Sequence, residues 1–278
     1  MAEIRKIAIA TGTRADWGLL SGIARALAAR ADCEVTILAT NMHLSPRYGN
    51  TISEIVADGF ADPVRVEMPL SADTDCSTVE AMAVCMSGMA RELSRLRPDL
   101  IVILGDRFEM LATATAALML RVPIVHIAGG EISEGAIDDS IRHSITKMAS
   151  LHLTATEPYR RRVIAMGEAP DRVINTGAIG VYNILHEPLL TRRELEESID
   201  FDLTDKSVLV TYHPATLDDE DPAVRCKALL DALDRFEDHK VLMTYPNNDP
   251  RGRIIIDLIE AYAAARPGRV RVVPSLGK

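Results

Sequence analysis

Leu100-Ile-Val-Ile-Leu-Gly-Asp-Arg-Phe-Glu109 carries five apolar residues straight into a glycine and a polar turn. An apolar run of that length without alternation reads as a strand covered on both faces, the mark of a parallel sheet. Acids flank it at Asp99 and Asp106, and no apolar run is long enough to span a bilayer. Downstream, Phe108 to Leu120 reads as a helix, Ile124-Val-His-Ile127 as a strand, Asp138 to Ala149 as a helix and Leu151 to Ala155 as a strand. Upstream, the strands are Ile7-Ala-Ile-Ala10, Val35 to Ala39 and Val64-Arg-Val66. Between them lie helical patterns over Trp17 to Ala29, near Ile52 to Asp58, and from Thr78 to Leu96, the last closed by Pro98. Apolar strands alternating with helices predict a doubly wound α/β domain over residues 1–182.

Past Tyr182, the stretch Asn183 to Leu190 contains Pro188 and leads to a polar helix with Thr191 as its N-cap. A second alternation follows: strand Val208-Leu-Val210, helix Pro222 to Phe236, strand Val241 to Thr244, helix Arg253 to Ala265 and strand Val270 to Val273. Residues 183–278 are therefore expected to form a second α/β domain, short at three strands. Two such domains predict a cleft at the carboxyl ends of their strands, where open sheets bind ligands.

Composition narrows the class. Of 278 residues, 47% are hydrophobic and 26% charged, an ordinary globular balance. The net charge of −9 disfavours nucleic acid and anionic membranes as partners. The N-terminus lacks a secretory apolar region, which predicts a cytoplasmic protein. Cys33, Cys76, Cys85 and Cys226 form no Cys-x-x-Cys, so neither a zinc knuckle nor a disulfide framework is expected. His126, His143, His152 and His213 fit no metal-binding spacing either.

Four polar clusters follow predicted strands of the first domain. Gly12-Thr13-Arg14-Ala15-Asp16 reads as a phosphate-binding turn, with free helix amides and Arg14 as clamp, or as a plain βα turn with Asp16 as N-cap. It has neither Gly-x-Gly-x-x-Gly nor Gly-Lys-Ser/Thr. In Gly105-Asp106-Arg107-Phe108-Glu109, Asp106 is an acid–base candidate or a helix cap. In Gly129-Gly130-Glu131, the glycines permit close approach of a ligand, with Glu131 beside it or simply at the surface. Within Asp138-Asp139-Ser-Ile-Arg142-His143, residues 139, 142 and 143 share a helix face. That face is either solvated or, converging near Glu131, a proton-transfer centre. In the second domain, His213-Pro214 and Pro246-Asn247-Asn248-Asp249 lie at strand ends.

In this order, Thr13-Arg14-Ala15-Asp16, Gly105-Asp106-Arg107, Gly129-Gly130-Glu131, Asp138-Asp139-Ser-Ile-Arg142-His143, His213-Pro214 and Pro246-Asn247-x-Asp249 resemble the hydrolysing UDP-N-acetylglucosamine 2-epimerases of sialic acid and related nonulosonic acid synthesis. The resemblance implies a GT-B-like fold of two Rossmann-type domains with the sugar nucleotide in the cleft, and a homodimer. Gly18 departs from it, standing where the animal enzyme has a nucleotide-holding serine. The family also continues past Ser275-Leu-Gly277 with a Gly-Asn-Ser-Ser diphosphate grip and a closing helix. By that comparison the second domain is expected to be incomplete and the chain a weak or inactive enzyme.

The resemblance also implies the chemistry. UDP leaves as the C2 proton is taken, an anti elimination to a glycal; water then adds at C1 and a proton returns to C2 from the other face. Asp106, Glu131 and Asp139 are implied as the proton-handling groups, and His213 as an acid at, or a binder of, the leaving phosphate. Arg14, Arg107 and Asn247 are implied to hold the nucleotide and diphosphate, with Arg142, His143 and Asp249 as further substrate contacts. No cofactor or metal is demanded. The competing readings are a GT-B glycosyltransferase using a UDP-sugar donor and a non-catalytic sugar-nucleotide-binding subunit. The residues do not distinguish N-acetylglucosamine from a di-acetamido sugar such as bacillosamine.

Overall fold

A computed structural model describes residues 4–69, 72, 74–186, 188–214, 217, 220–248, 252–274 and 276. The chain forms two compact units, Met1–Ser71 with Val79–Glu187, and Ala72–Thr78 with Pro188–Lys278.

The first unit holds a seven-stranded parallel sheet. Its strands are β1 (Arg5–Thr11), β2 (Cys33–Thr40), β3 (Val64–Val66), β4 (Leu100–Leu104), β5 (Ile124–Ile127), β6 (Leu151–Thr154) and β7 (Val173–Asn175). They lie in the order β3-β2-β1-β4-β5-β6-β7, so chain direction across the sheet reverses between β1 and β4. Ligand sites of open sheets form at such a reversal. The helices are α1 (Arg14–Ala28), α2 (Ile52–Ala57), α3 (Asp75–Leu96), α4 (Phe108–Met119), α5 (Asp138–Met148), α6 (Glu157–Ala165) and α7 (Ile179–His186).

Strand periodicity divides the core between the two sheet faces. Ala8, Ala10, Ile101 and Ile103 pack with Met89, Leu93 and Met110 on one face. Ile7, Ile9, Val102 and Leu104 pack with Trp17, Leu20 and Ile37 on the other. Burying an aliphatic side chain this completely contributes about 1.5–3 kcal/mol, which is why β1 and β4 show no polar alternation.

Several boundaries differ from the sequence expectation. Helix α1 starts at Arg14 because Thr13 is the N-cap and Asp16 its capping-box partner, so Asp16 is not the cap. Strand β7 and helix α6 have no counterpart in the sequence reading, and α7 begins at Ile179, ahead of the stretch from Asn183.

The second unit has three parallel strands, β8 (Ser207–Thr211), β9 (Lys240–Thr244) and β10 (Val270–Val273), in the order β10-β9-β8. Thr191 caps α8 (Arg192–Ile199) with Glu194 closing the box. Helices α9 (Pro222–Leu233) and α10 (Arg253–Ala264) bring Cys226, Leu230, Ile255 and Ile259 against Val241 and Met243. Helix α9 ends at Leu233 rather than Phe236; its C-cap, Asp234, accepts hydrogen bonds from Tyr262 and Arg266. All four cysteines are free thiols, and no described helix is long and apolar enough to cross a membrane.

Candidate active site

At the reversal point, β1 runs into the Gly12–Thr13 turn. One Asp16 carboxylate oxygen accepts from the amides of Thr13 at 3.0 Å and Gly12 at 3.3 Å. Asp16 thus ties down the two turn amides ahead of α1, while its own amide donates to the Thr13 hydroxyl at 3.2 Å. Burial pushes the Asp16 pKa up to about 6; Arg107 opposes the rise and Glu109 adds to it. Beside it, Arg107 Nε donates to Glu109 Oε1 at 2.7 Å, and Glu109 is fully buried. Gly12 is required here, because any Cβ would overlap the Glu109 carboxylate. The sequence reading quoted Glu109 but gave it no role; the Arg-x-Glu spacing at the mouth of a buried strand was the available signal. Arg14 sits half-buried on α1, where burial lowers its pKa against the opposing charge of Glu54.

A second cluster joins the β4–α4 turn to α5. Arg142, only 4% exposed, ion-pairs with Asp106 and, at 2.9 Å, with Asp139. An arginine stripped of water needs such counter-charges, and 3-residue spacing on a helix supplies one of them. The Ser133 amide donates to Asp139 at 2.7 Å, and Arg142 donates to the Ser133 hydroxyl at 2.9 Å. Asp106 thus pairs with Arg142 and is not the side-chain cap of α4, whose N-cap is Arg107. Ser133 went unnoticed in the sequence because nothing local marks it.

Glu131 lies two residues before Ser133, half-buried, with no hydrogen bond or ion pair among the described residues. Burial raises its pKa. His143 stays outside the ion-pair cluster, and its Nδ1 is buried without a hydrogen-bond partner. Gly129 and Gly130 are packed tightly against the protein itself. A Cβ on Gly130 would lie 2.5 Å from the Tyr159 carbonyl oxygen, and one on Gly129 would lie 3.1 Å from both His126 Nδ1 and Thr146 Oγ1.

In the second unit, the Asn247 amide donates to His213 Nδ1 at 3.4 Å, so the segments after β8 and β9 come together. Just before them, the Thr211 and Thr244 hydroxyls are 2.5 Å apart. Asp249 lies outside the described residues. Among the described residues no group of three or more His, Cys, Asp or Glu is placed to hold a metal ion.

Known proteins match this chain over most of its length. A hydrolysing GDP/UDP-N,N'-diacetylbacillosamine 2-epimerase from Campylobacter jejuni is 36% identical over 273 residues, covering 98% of this chain and 71% of that protein. A UDP-N,N'-diacetylbacillosamine 2-epimerase from Legionella pneumophila is 34% identical, covering 93% and 68%. Polysialic acid biosynthesis protein P7 of Escherichia coli is 34% identical, covering 91% and 64%. Among solved structures, the Neisseria meningitidis UDP-GlcNAc 2-epimerase bound to UDP-GlcNAc superposes with a TM-score of 0.74 at 16% identity, over 97% of this chain and 72% of that one. That likeness shows the GT-B-like α/β fold expected from the sequence. A family model described as UDP-N-acetylglucosamine 2-epimerase covers residues 25–278, and the chain belongs to that family of enzymes.

Proposed function

We propose that this chain is a hydrolysing 2-epimerase of a UDP-linked 2-acetamido sugar, releasing UDP and the C2-epimeric free sugar. The observation that carries the reading is the Asp106–Arg142–Asp139 bridge beside a half-buried, unpartnered Glu131. Removing an unactivated C2 proton and returning one from the other face needs several carboxylates with unlike proton affinities. Paired with Arg142, Asp106 and Asp139 are fixed in direction. Glu131, without a counter-charge and raised by burial, holds a proton more readily than an exposed glutamate and is the group assigned to exchange one.

The electron pair from the C2–H bond forms the C1=C2 bond while the C1–O bond breaks and UDP departs. Water then supplies the C1 hydroxyl, and a proton returns to C2. His213, Arg14, Arg107, Asn247 and Asp249 are assigned to UDP and its departing phosphate, with His143 and Arg142 nearer the sugar. In this reading residues 1–182 and 183–278 act as two functional domains of a cytoplasmic homodimer in sialic or related nonulosonic acid synthesis; the acidic composition and the name of the polysialic acid relative support it.

Identities of 36% and 34% to the diacetylbacillosamine enzymes, against 27% to the meningococcal UDP-N-acetylglucosamine enzyme, favour the di-acetamido sugar. The test is incubation with UDP-N,N'-diacetylbacillosamine and, separately, UDP-N-acetylglucosamine, assaying free UDP and the 2-epimer. UDP release that requires an added acceptor would mark a glycosyltransferase, and binding without turnover a sensor.

A further inference from the structure

His126 is fully buried at the third position of β5 and belongs to none of the roles above. Its Nε2 lies 2.8 Å from the Gly105 carbonyl, and its Nδ1 lies 3.1 Å from Thr146 Oγ1. A carbonyl only accepts, so Nε2 carries the proton and donates, leaving Nδ1 as the acceptor. The Thr146 hydroxyl is then shared between Nδ1 and the Arg142 carbonyl at 3.0 Å. A Cβ on Gly129 would press on this same imidazole nitrogen.

Each hydrogen bond ends on a segment that bears a proposed proton-handling carboxylate, and the strand of His126 itself leads to a third. Gly105, in a left-handed turn at φ 74°, directly precedes Asp106. Thr146 and Arg142 are successive turns of α5, which also carries Asp139. Gly129 precedes Gly130 and Glu131. We propose that His126 is a positioning residue: one neutral imidazole ties the two segments that present Asp106 and Asp139 to its own strand, which runs on through Gly129 to Glu131, without itself touching substrate. This deepens the reading given under Proposed function and rests on it for the catalytic consequence.

The ring suits this task because it is bifunctional and rigid. It donates on one edge and accepts on the other, about 2 Å apart within the plane of a rigid ring. Burial, with His152 and His143 nearby, holds its pKa down to about 4, so the donor–acceptor pattern is constant at neutral pH. A catalytic group moved by about 1 Å loses on the order of 10²-fold in rate.

The test uses the whole chain and three variants. His126→Phe keeps a ring but deletes both hydrogen bonds; His126→Gln retains an amide donor able to reach Gly105; Thr146→Val removes only the Nδ1 contact. Turnover of UDP-N,N'-diacetylbacillosamine, UDP affinity by calorimetry and amide hydrogen exchange are measured for each. We expect His126→Phe to lower kcat about 10²-fold with KM within twofold, and His126→Gln to regain at least tenfold of that loss. Exchange should speed up in peptides spanning 104–107 and 129–146, with other peptides unchanged.

A His126→Phe variant that turns over normally, or that raises KM at constant kcat, overturns the proposal. Wild-type chain that binds UDP yet releases none from either UDP-sugar refutes the catalytic reading instead. In that event exchange still decides the brace: loosening confined to those peptides upholds it, and unchanged or uniformly faster exchange refutes it.

Discussion

Glu131 has no counter-charge, and burial raises its pKa, which favours its protonated form relative to an exposed glutamate. Glu131→Gln keeps shape while removing the exchangeable proton. UDP affinity by calorimetry should therefore be retained while UDP release from the sugar nucleotide falls 10²–10⁴-fold. Arg14→Ala should do the reverse, weakening UDP binding about tenfold or more, since its proposed role is a charge clamp. A Glu131→Gln variant that loses UDP as badly as Arg14→Ala would refute the division of roles. Asp106, Asp139 and Arg142 were legible as candidates because strand ends and 3-residue helical spacing are local patterns. Their mutual bridge was not, because Asp106 and Arg142 meet only through the packing of α5 beside the β4 turn. Asp16 misled for a related reason. An acid at a helix start reads as a cap, yet Thr13, three residues earlier, takes that place and leaves Asp16 to satisfy the turn's own amides.

The connection from β5 to α5 depends on backbone conformations that side chains resist. Ala128 and Gly130 both have left-handed φ, 65° and 81°, and Arg162 of α6 donates to the Gly130 carbonyl. Gly130→Ala would add a left-handed penalty of roughly 1–2 kcal/mol and drive its Cβ to 2.5 Å from the Tyr159 backbone oxygen. Because a helix backbone yields poorly, total destabilisation of about 2–4 kcal/mol is expected, together with loss of turnover as Glu131 shifts. Urea unfolding followed at Trp17 measures it; a midpoint equal to wild type would show that α6 does move aside. The sequence reading took the two glycines as room for a ligand; that a Cβ on Gly130 would meet the Tyr159 backbone was not legible, because that contact is made by α6, far along the chain. Elements were legible wherever apolar periodicity was long, as in β4 and α3. Strand β7 escaped because Val173-Ile-Asn175 is three residues long and lacks the apolar–polar–apolar alternation that marked the equally short Val64-Arg-Val66.

The first unit buries titratable groups of opposing sign, which makes its stability depend on pH in a calculable direction. His43, held between the Thr11 and Thr51 hydroxyls, and His126 are both pushed down to about 4 by burial. Unfolded histidines take protons near 6.5, so each of these contributes stability that is present above 6.5 and lost as pH falls toward 4. Burial lowers the pKa of His152 as well, in the same direction. Asp16 works the other way: raised from 3.8 to about 6, it contributes stability present below 3.8 and lost as pH rises through 6. Between pH 4 and 6 the unfolded state therefore binds two protons more through His43 and His126 and one fewer through Asp16. For these three groups, with the opposed shifts of His152 and Glu131 left out of the sum, the net of one proton corresponds to about 1.4 kcal/mol per pH unit, or roughly 3 kcal/mol lost from pH 6 to pH 4. The lone tryptophan, Trp17, is fully buried in this unit, so its fluorescence in urea reports the first unit without mixing in the second. The midpoint should fall from pH 6 to pH 4, and Asp16→Asn, by deleting the opposing contribution, should steepen that fall toward two protons. A wild-type midpoint that holds or rises on acidification would mean that His43 and His126 already bind protons in the folded state, contrary to their burial.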